Sequence, residues 1–382
     1  MKLLFYLTLL ATALALHSSK ALEIHIFDVG QADAQLIVFP SGYSILIDCG
    51  DRDHTNASGT KHVAKRIQSI LGKKKVDIFL LSHFHGDHFG RKGKSGIWYL
   101  IEKQGFTFGK FLRRDVGSYN GSKLSNCNKK TMSWKIAGQM ADDMLKFICY
   151  ATSTKEKTKL SKIGQIAYRC NNKQIAPPDK GAKVTILMRD GLGIKDTKYN
   201  LKISRNSIDQ GKKTVTENDF SICMRIEYQK FVYATCGDMS GFNVPTSTKK
   251  FSNVETTVAP MMGEVDAHKV NHHGSGTATN EKWAKTLKPS VAVVTCGGGD
   301  LPSKTPLKNL KNVGAKIYTT GDNCDKTDIN KVGGITEMGD DVVITVPTNG
   351  KTFTVASPSG KHKKTFNIKQ NKKAPTACKA LG

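Results

Sequence analysis

The stretch Ser82-His83-Phe84-His85-Gly86-Asp87-His88 constrains this chain more than any other part of it. Three imidazoles and a carboxylate stand together directly after VDIFLLS, a continuous apolar run at 76–82. A run of that length reads as a strand buried on both faces. Its end must deliver several metal-ligating side chains to the rim of a covered sheet. Alternation in an extended segment points His83 and His85 the same way. A turn at Gly86 then swings Asp87 and His88 back toward them. Imidazole nitrogen and carboxylate oxygen suit zinc, and also manganese or iron.

Two later segments carry the same residue types. Thr235-Cys236-Gly237-Asp238 sets a carboxylate just past an apolar strand, where Asp238 can bridge two metals. Asn271-His272-His273-Gly274-Ser275 follows the strand AHKV and supplies one or two more imidazoles. Strand patterns fall at 22–50, 184–189, 267–270, 290–296, 315–320 and 335–356, and helical patterns at 61–72, 279–287 and 305–313. Strands alternate with helices in two halves. That predicts an α/β fold of four layers, αββα, with two sheets face to face and helices outside. Residues 91–180 hold 19 Lys/Arg against 6 Asp/Glu and read as a basic insertion, helical over 132–150. Residues 22–356 make the domain, and 357–382 read as a flexible basic tail, with seven lysines and no acid after 360.

Residues 1–21 have the form of a secretory leader: a short positive start, an apolar stretch from Leu3 to Leu16, and a small-residue cut at Ser19-Lys20-Ala21. The mature chain is therefore expected outside the cell or in a lumen. Nine cysteines leave at least one thiol over unless a bridge joins two chains. FSICMRIEY and FVYATCGD read as a hairpin turning at Gln229-Lys230, which puts Cys223 opposite Cys236. Directly opposed cysteines can bridge, or stay as two buried thiols. The net charge of +26 favours a polyanionic partner. No apolar run after the N-terminus is long enough for a membrane span, which excludes a multi-span protein.

His83-x-His85-x-Asp87-His88 resembles the signature of the metallo-β-lactamase superfamily. The closer likeness is to its ComEC-type branch, the soluble metallo-hydrolase domain attached to bacterial DNA-uptake channels. Matching pieces stand in order: Phe27-Asp28-Val29-Gly30-Gln31-Ala32-Asp33-Ala34, Ile47-Asp48-Cys49-Gly50, SHFHGDHFG, Asn218-x-x-Ser221, Cys236-Gly237-Asp238 and Val270-Asn271-His272-His273-Gly274-Ser275. The resemblance covers roughly 22–346 and implies two divalent ions, zinc or manganese, at the sandwich edge. By it His83 and His85 would hold one ion, and Asp87 and His88 the second. Asp238 would bridge, and His272 or His273 would complete the second site. Asp48 would hold the ligand loop, and Asp28 and Gln31 would line the mouth. Independently of the resemblance, Ser275 could bind a phosphoryl oxygen with help from Lys269, or Ser275 could be a turn former and Lys269 a solvated strand residue. Relatives often supply a further histidine before the bridging Asp. Here none occurs between His88 and His268, so Asn218 or Asp219 would have to serve, or one ion would be weakly held.

Phosphodiester chemistry from the resemblance and a polyanion from the charge together predict a secreted, monomeric, metal-dependent nuclease, acting on DNA rather than RNA. The lysine-rich insertion and tail would hold the strand, and Trp98, Tyr99, Phe106, Phe108 or Trp134 could stack on bases. Three other readings remain. One is a phosphorylcholine-esterase-like phosphodiesterase, and one a hydrolase of lactams, lactones or thioesters. The third is a nucleic-acid or surface-binding protein with a structural metal.

Overall fold

The computed structural model describes residues 21–53, 55–116, 141–190, 214–245 and 249–378. The leader, Trp134 and most of the 190–216 loop lie outside them. Six strands come first: β1 (Ala21–Ile26), β2 (Ala34–Val38), β3 (Ser44–Cys49), β4 (Lys75–Leu80), β5 (Thr107–Arg113) and β6 (Gly164–Ile166). Helices α1 (Ser58–Leu71), α2 (Gly86–Phe89), α3 (Gly96–Glu102) and α4 (Ala141–Thr152) lie between them. The second half holds β7 (Ala182–Met188), β8 (Thr214–Val215), β9 (Cys223–Tyr228), β10 (Phe231–Thr235), β11 (Val244–Pro245), β12 (Lys249–Phe251), β13 (Ala267–Lys269), β14 (Val291–Val294), β15 (Lys316–Thr319) and β16 (Thr336–Glu337). Its helices are α5 (Glu255–Met262), α6 (Glu281–Leu287), α7 (Lys304–Asn312) and α8 (Lys326–Val332). Three strands close the chain: β17 (Val342–Pro347), β18 (Thr352–Ala356) and β19 (Lys363–Asn367).

One sheet runs β19-β18-β17-β1-β2-β3-β4-β5-β6, the other β16-β15-β14-β13-β10-β9-β7, and β11-β12-β8 form a small third. The two large sheets face each other across one apolar layer. Leu22, Ile24 and Ile26 of β1 enter it from one side, and Ile226, Tyr233, Ala267 and Val291 from the other. On the outer face of the first sheet, Phe79 and Phe111 pack against Ile67, Leu100 and Phe147 of the covering helices. α5 and α6 cover part of the second sheet through Val258, Met262 and Trp283, and α7 and α8 cover the rest through Leu307, Leu310 and Ile329. This is the four-layered αββα sandwich that the alternation of strands and helices implies.

Two expectations change. The stretch taken as a basic insertion is partly core. β5 pairs in parallel with β4, and Phe111 and Leu112 are fully buried on opposite faces. Trp98, Phe106 and Phe108 are buried as well, and so are packing residues rather than base-stacking ones. The tail is not a loose appendage either. β19 pairs with β18, Ile368 enters the inter-sheet core, and Lys372 pairs with Asp266 at 2.7 Å. Cys378 then bridges to Cys170. The 223–228/231–235 hairpin forms with the turn at Gln229-Lys230, and Cys223 and Cys236 are bridged. Cys296 bridges Cys324, and Cys49 is a free buried thiol.

Parallel strands decide where chemistry gathers. β3 and β4 are parallel in one sheet, and β10, β13 and β14 in the other. Their carboxyl ends lead to Asp48, Ser82-His83, Asp238, His272-His273 and Thr295 respectively. That end of an open α/β sheet is where side chains can converge without breaking ladder hydrogen bonds.

Candidate metal centre

Asp238 stands at the middle of this rim and is buried. Its Oδ2 lies 3.2 Å from His88 Nε2, 3.7 Å from His273 Nε2, 3.8 Å from His83 Nε2 and 3.9 Å from His272 Nε2. Two ligand groups share it. His83, His85 and Asp238 form one; Asp87, His88, His273 and Asp238 form the other. His83 Nε2 and His85 Nδ1 are 3.1 Å apart, as same-side alternation requires. Asp87 and His88 sit in α2, a single turn that folds them back, and Asp87 Oδ2 is 3.4 Å from His273 Nε2.

The local backbone serves this convergence. A Cβ on Gly50 would sit 1.6 Å from the Asp87 carbonyl oxygen, so only glycine lets the ligand turn pass. His272 and His273 both adopt left-handed φ, 49° and 51°. Non-glycine residues rarely do so, and such pairs concentrate at functional sites. The twist sends the two imidazoles apart. His273 joins Asp87 and His88, whereas His272 accepts or donates at Thr277 Oγ1 (2.9 Å) and meets Asn218 Nδ2 at 3.1 Å. Of the pair, His273 is therefore the one that completes the second group.

Around the ligands lies a ring of orienting groups. Asp48 accepts from Ser82 N–H and Oγ–H, each at 2.7 Å, and from His88 Nδ1 at 2.8 Å. It aims His88 Nε2 at Asp238, the orienting role that carboxylates play behind ligand histidines. Asp33 does more than its place in the Gln31-Ala32-Asp33 turn suggests. It pairs with the fully buried Lys269, accepts from Thr295 Oγ1 at 2.5 Å, and lies 3.6 Å from His273 Nδ1 and 3.7 Å from His88 Nδ1. Glu217 accepts from Phe84 N–H at 3.0 Å and from both arms of Arg114, fixing the loop between His83 and His85.

The remaining candidates lie apart from this cluster. Asn218 reaches His272, and its Oδ1 is buried without a partner. Asp219 turns away, accepting from Ser252 N–H at 2.9 Å, so it is no substitute for a ligand. Asp28 accepts from Gly30 N–H and borders a separate cleft of about 450 Å³ with Asp51, His62 and Asp322. Gln31 N–H bonds the Gly297 carbonyl. The Ser275 hydroxyl is 3.1 Å from Thr277 Oγ1, which itself touches His272, so Ser275 acts here as a turn former. Nothing local in the sequence marks Asp33 or Glu217 for these roles. Their partners Lys269 and Arg114 are 236 and 103 residues away, and no local pattern links them.

Charge distribution tells what the cluster is built for. Burial opposes a proton on His88, yet Asp238, Asp48 and Asp87 outweigh it and hold His88 well above the ordinary imidazole range. Burial likewise opposes charge on Asp238, but His88, His273 and His272 pull it well below the usual carboxylate range. Burial, with His88 beside it, keeps His83 neutral, far below its ordinary value. His88 Nε2, His273 Nε2 and Asp238 Oδ1 are buried without hydrogen-bond partners. Buried polar atoms are ordinarily satisfied, and here the two nitrogens stand close to carboxylate oxygens without hydrogen-bonding them, an arrangement that a shared cation would satisfy. The donor set, imidazole nitrogen with carboxylate oxygen, fits divalent zinc or manganese.

No protein-family model matches the chain, and no curated protein matches it. Several solved structures align with it at low identity and low TM-score. A diphosphatase of the PhnP family aligns at 11% identity and TM-score 0.37, over 86% of this chain and 98% of the other. CmlA, a diiron β-hydroxylase from Streptomyces venezuelae, aligns at 11% and 0.38, over 84% of this chain and 53% of its own. A long-form RNase Z from yeast aligns at 12% and 0.36, over 79% and 40%.

Proposed function

We propose that this chain is a secreted, monomeric, metal-dependent phosphodiester hydrolase of the metallo-β-lactamase type, and specifically a nuclease acting on DNA. The observation that carries the reading is the pair of ligand groups sharing Asp238, with their unpartnered buried nitrogens. His83 and His85 with Asp238 would hold one divalent ion, and Asp87, His88 and His273 with Asp238 a second. Such ions lower the pKa of bound water and neutralise charge developing on a phosphoryl oxygen. The chain's own part is orientation. Asp48 holds the Nδ1 face of His88, and Thr295, itself bonded to Asp33 through Oγ1, holds that of His273. The ordered motifs support the family, the charge of +26 supports a polyanionic substrate, and the N-terminal leader pattern with several disulfides supports secretion. Among the described residues, no helix is long and apolar enough to cross a membrane.

The test incubates metal-replete protein with circular and linear DNA, a matched RNA and a small phosphodiester, alongside His85→Ala/His88→Ala. Mn²⁺, Zn²⁺ and Mg²⁺ are supplied separately. The parent should cleave DNA and the variant should not. Cleavage of RNA alone would overturn the DNA assignment. Turnover of the small phosphodiester with both nucleic acids intact would overturn the nuclease assignment and favour the esterase-like one.

A further inference from the structure

A cleft of about 630 Å³ lies at the edge formed by β5, β6 and the end of α4. Arg113, Lys157 and Lys162 line it with the hydroxyl residues Thr152, Ser153 and Ser161, and no carboxylate is among the lining residues. Nearby Lys159, which does not line the cleft, pairs with Glu102, and Arg114 with Asp190 and Glu217. Among the described residues, none of the three lining cations is in a salt bridge. Arg113 spends Nη1 on the Arg114 carbonyl at 3.0 Å, while its Nε is buried with no partner. The cleft therefore concentrates positive charge around a space.

An exposed aromatic residue follows β6. Tyr168, 54% exposed, is the only exposed large hydrophobic residue among the described ones. Its neighbour Ala167 bonds the Arg113 carbonyl through its N–H and lies in the inter-sheet core. Successive residues of an extended segment face opposite ways, so Tyr168 after the inward Ala167 and Arg113 after the inward Leu112 take the same outer face.

The position follows from strand register. Leu112 pairs with Leu80, and Leu81 N–H bonds the Leu112 carbonyl. Arg113 is thus one strand, about 4.8 Å, from the segment that runs on to His83. The guanidinium of the next residue, Arg114, lies 5.3 Å from the centre of the Phe84 ring, between His83 and His85.

We infer that this cleft binds the phosphate backbone of a single nucleic-acid strand, with Tyr168 as a base-stacking platform that leads the strand to the metal centre. The inference rests on the nuclease reading. Three cations suit successive phosphates, and an exposed ring accepts any unpaired base, the combination used for sequence-tolerant single-strand binding. A duplex hides its base faces and would gain nothing from Tyr168.

Fluorescence anisotropy on the full chain tests it. The probe is a labelled oligothymidylate of about 16 nucleotides, with a duplex of equal length beside it, in excess chelator so that nothing is cleaved. Lys157→Ala/Lys162→Ala should weaken single-strand binding tenfold or more and make the log–log salt slope less negative by about 1.4. Tyr168→Ala should weaken single-strand binding about tenfold, with duplex binding and salt slope unchanged. Turnover of bis(p-nitrophenyl) phosphate with Mn²⁺ should stay at the parent rate in both variants. If the parent cleaves nucleic acid and the variants match it in affinity and slope, the cleft assignment fails and the nuclease reading stands. Equal losses on duplex and single strand from Tyr168→Ala would overturn the single-strand assignment. A parent that neither binds nor cleaves nucleic acid removes the nuclease reading and the cleft with it.

Discussion

Asp33 and Lys269 face each other with no exposure to water, at the back of the second ligand group. Replacing a buried ion pair by apolar residues is often neutral or stabilising, so stability alone does not explain its presence. Its place does. Asp33 accepts from Thr295 Oγ1, which holds His273 Nδ1, and its charge lies within 3.7 Å of His88 Nδ1 and His273 Nδ1. Asp33→Asn should therefore lower affinity at the second group by about 10–100-fold, the usual cost of losing an outer carboxylate. Metal content after dialysis against a weak chelator reads this directly: two ions per parent chain and one per variant. Two retained ions would show that the histidines hold their pose unaided. Lys269→Met alone should cost about 3–5 kcal/mol by leaving Asp33 charged and unpaired. Asp33→Asn/Lys269→Met should recover much of that loss in chemical denaturation, since the two residues couple.

At the scale of elements, the ligand loops are held by buried polar anchors. Glu255 at the start of α5 accepts from Asn271 Nδ2 (2.7 Å), Thr279 N–H (2.6 Å) and Asn280 N–H (2.7 Å), tying the His272-His273 loop to α5 and α6. Burial raises its carboxyl to about 7 in spite of those donors. The folded chain thus binds a proton more readily than the unfolded one. Stability from this group is present in acid and falls as pH rises from about 4.5 through 7, at up to about 1.4 kcal/mol per pH unit. Glu255→Gln should remove that component of the slope in denaturant titrations across this range; a parent profile as flat as the variant's would rule it out. Strands such as β4 and the β9–β10 hairpin are legible in sequence because their apolar runs and turns are local. β5 is less so. Gly109 and Lys110 interrupt TFGKFLR, and only pairing with β4 makes it core. β19 hides behind its lysines. Phe366 stacks on Phe353 at 5.3 Å while Lys363 and Lys364 stay exposed, as suits an edge strand that must not recruit a neighbour.

For the whole molecule, the same reasoning reaches the C-terminus. Seven lysines and no acid after 360 argue for a solvated tail, yet the chain from β19 to Cys378 forms a strap across both sheets. Ile368 fills the inter-sheet core, Lys372 meets Asp266, and Thr376 N–H bonds the Pro260 carbonyl at 2.9 Å. Composition could not show this, because the carboxylate that receives Lys372 and the cysteine that receives Cys378 lie 106 and 208 residues back. A bridge spanning that much chain removes considerable freedom from the unfolded state, worth about 2–5 kcal/mol when lost. Cys170→Ser/Cys378→Ser should therefore lower the denaturation midpoint and open the segment beyond Asn367 to trypsin, which finds Lys369, Lys372 and Lys373 there. The metal count should not change, because no ligand lies on the strap. If the midpoint falls while trypsin still spares the segment, core and ion-pair contacts alone hold it. If neither changes, the bridge contributes nothing to the folded balance, and the strap is fixed by Ile368 and Asp266.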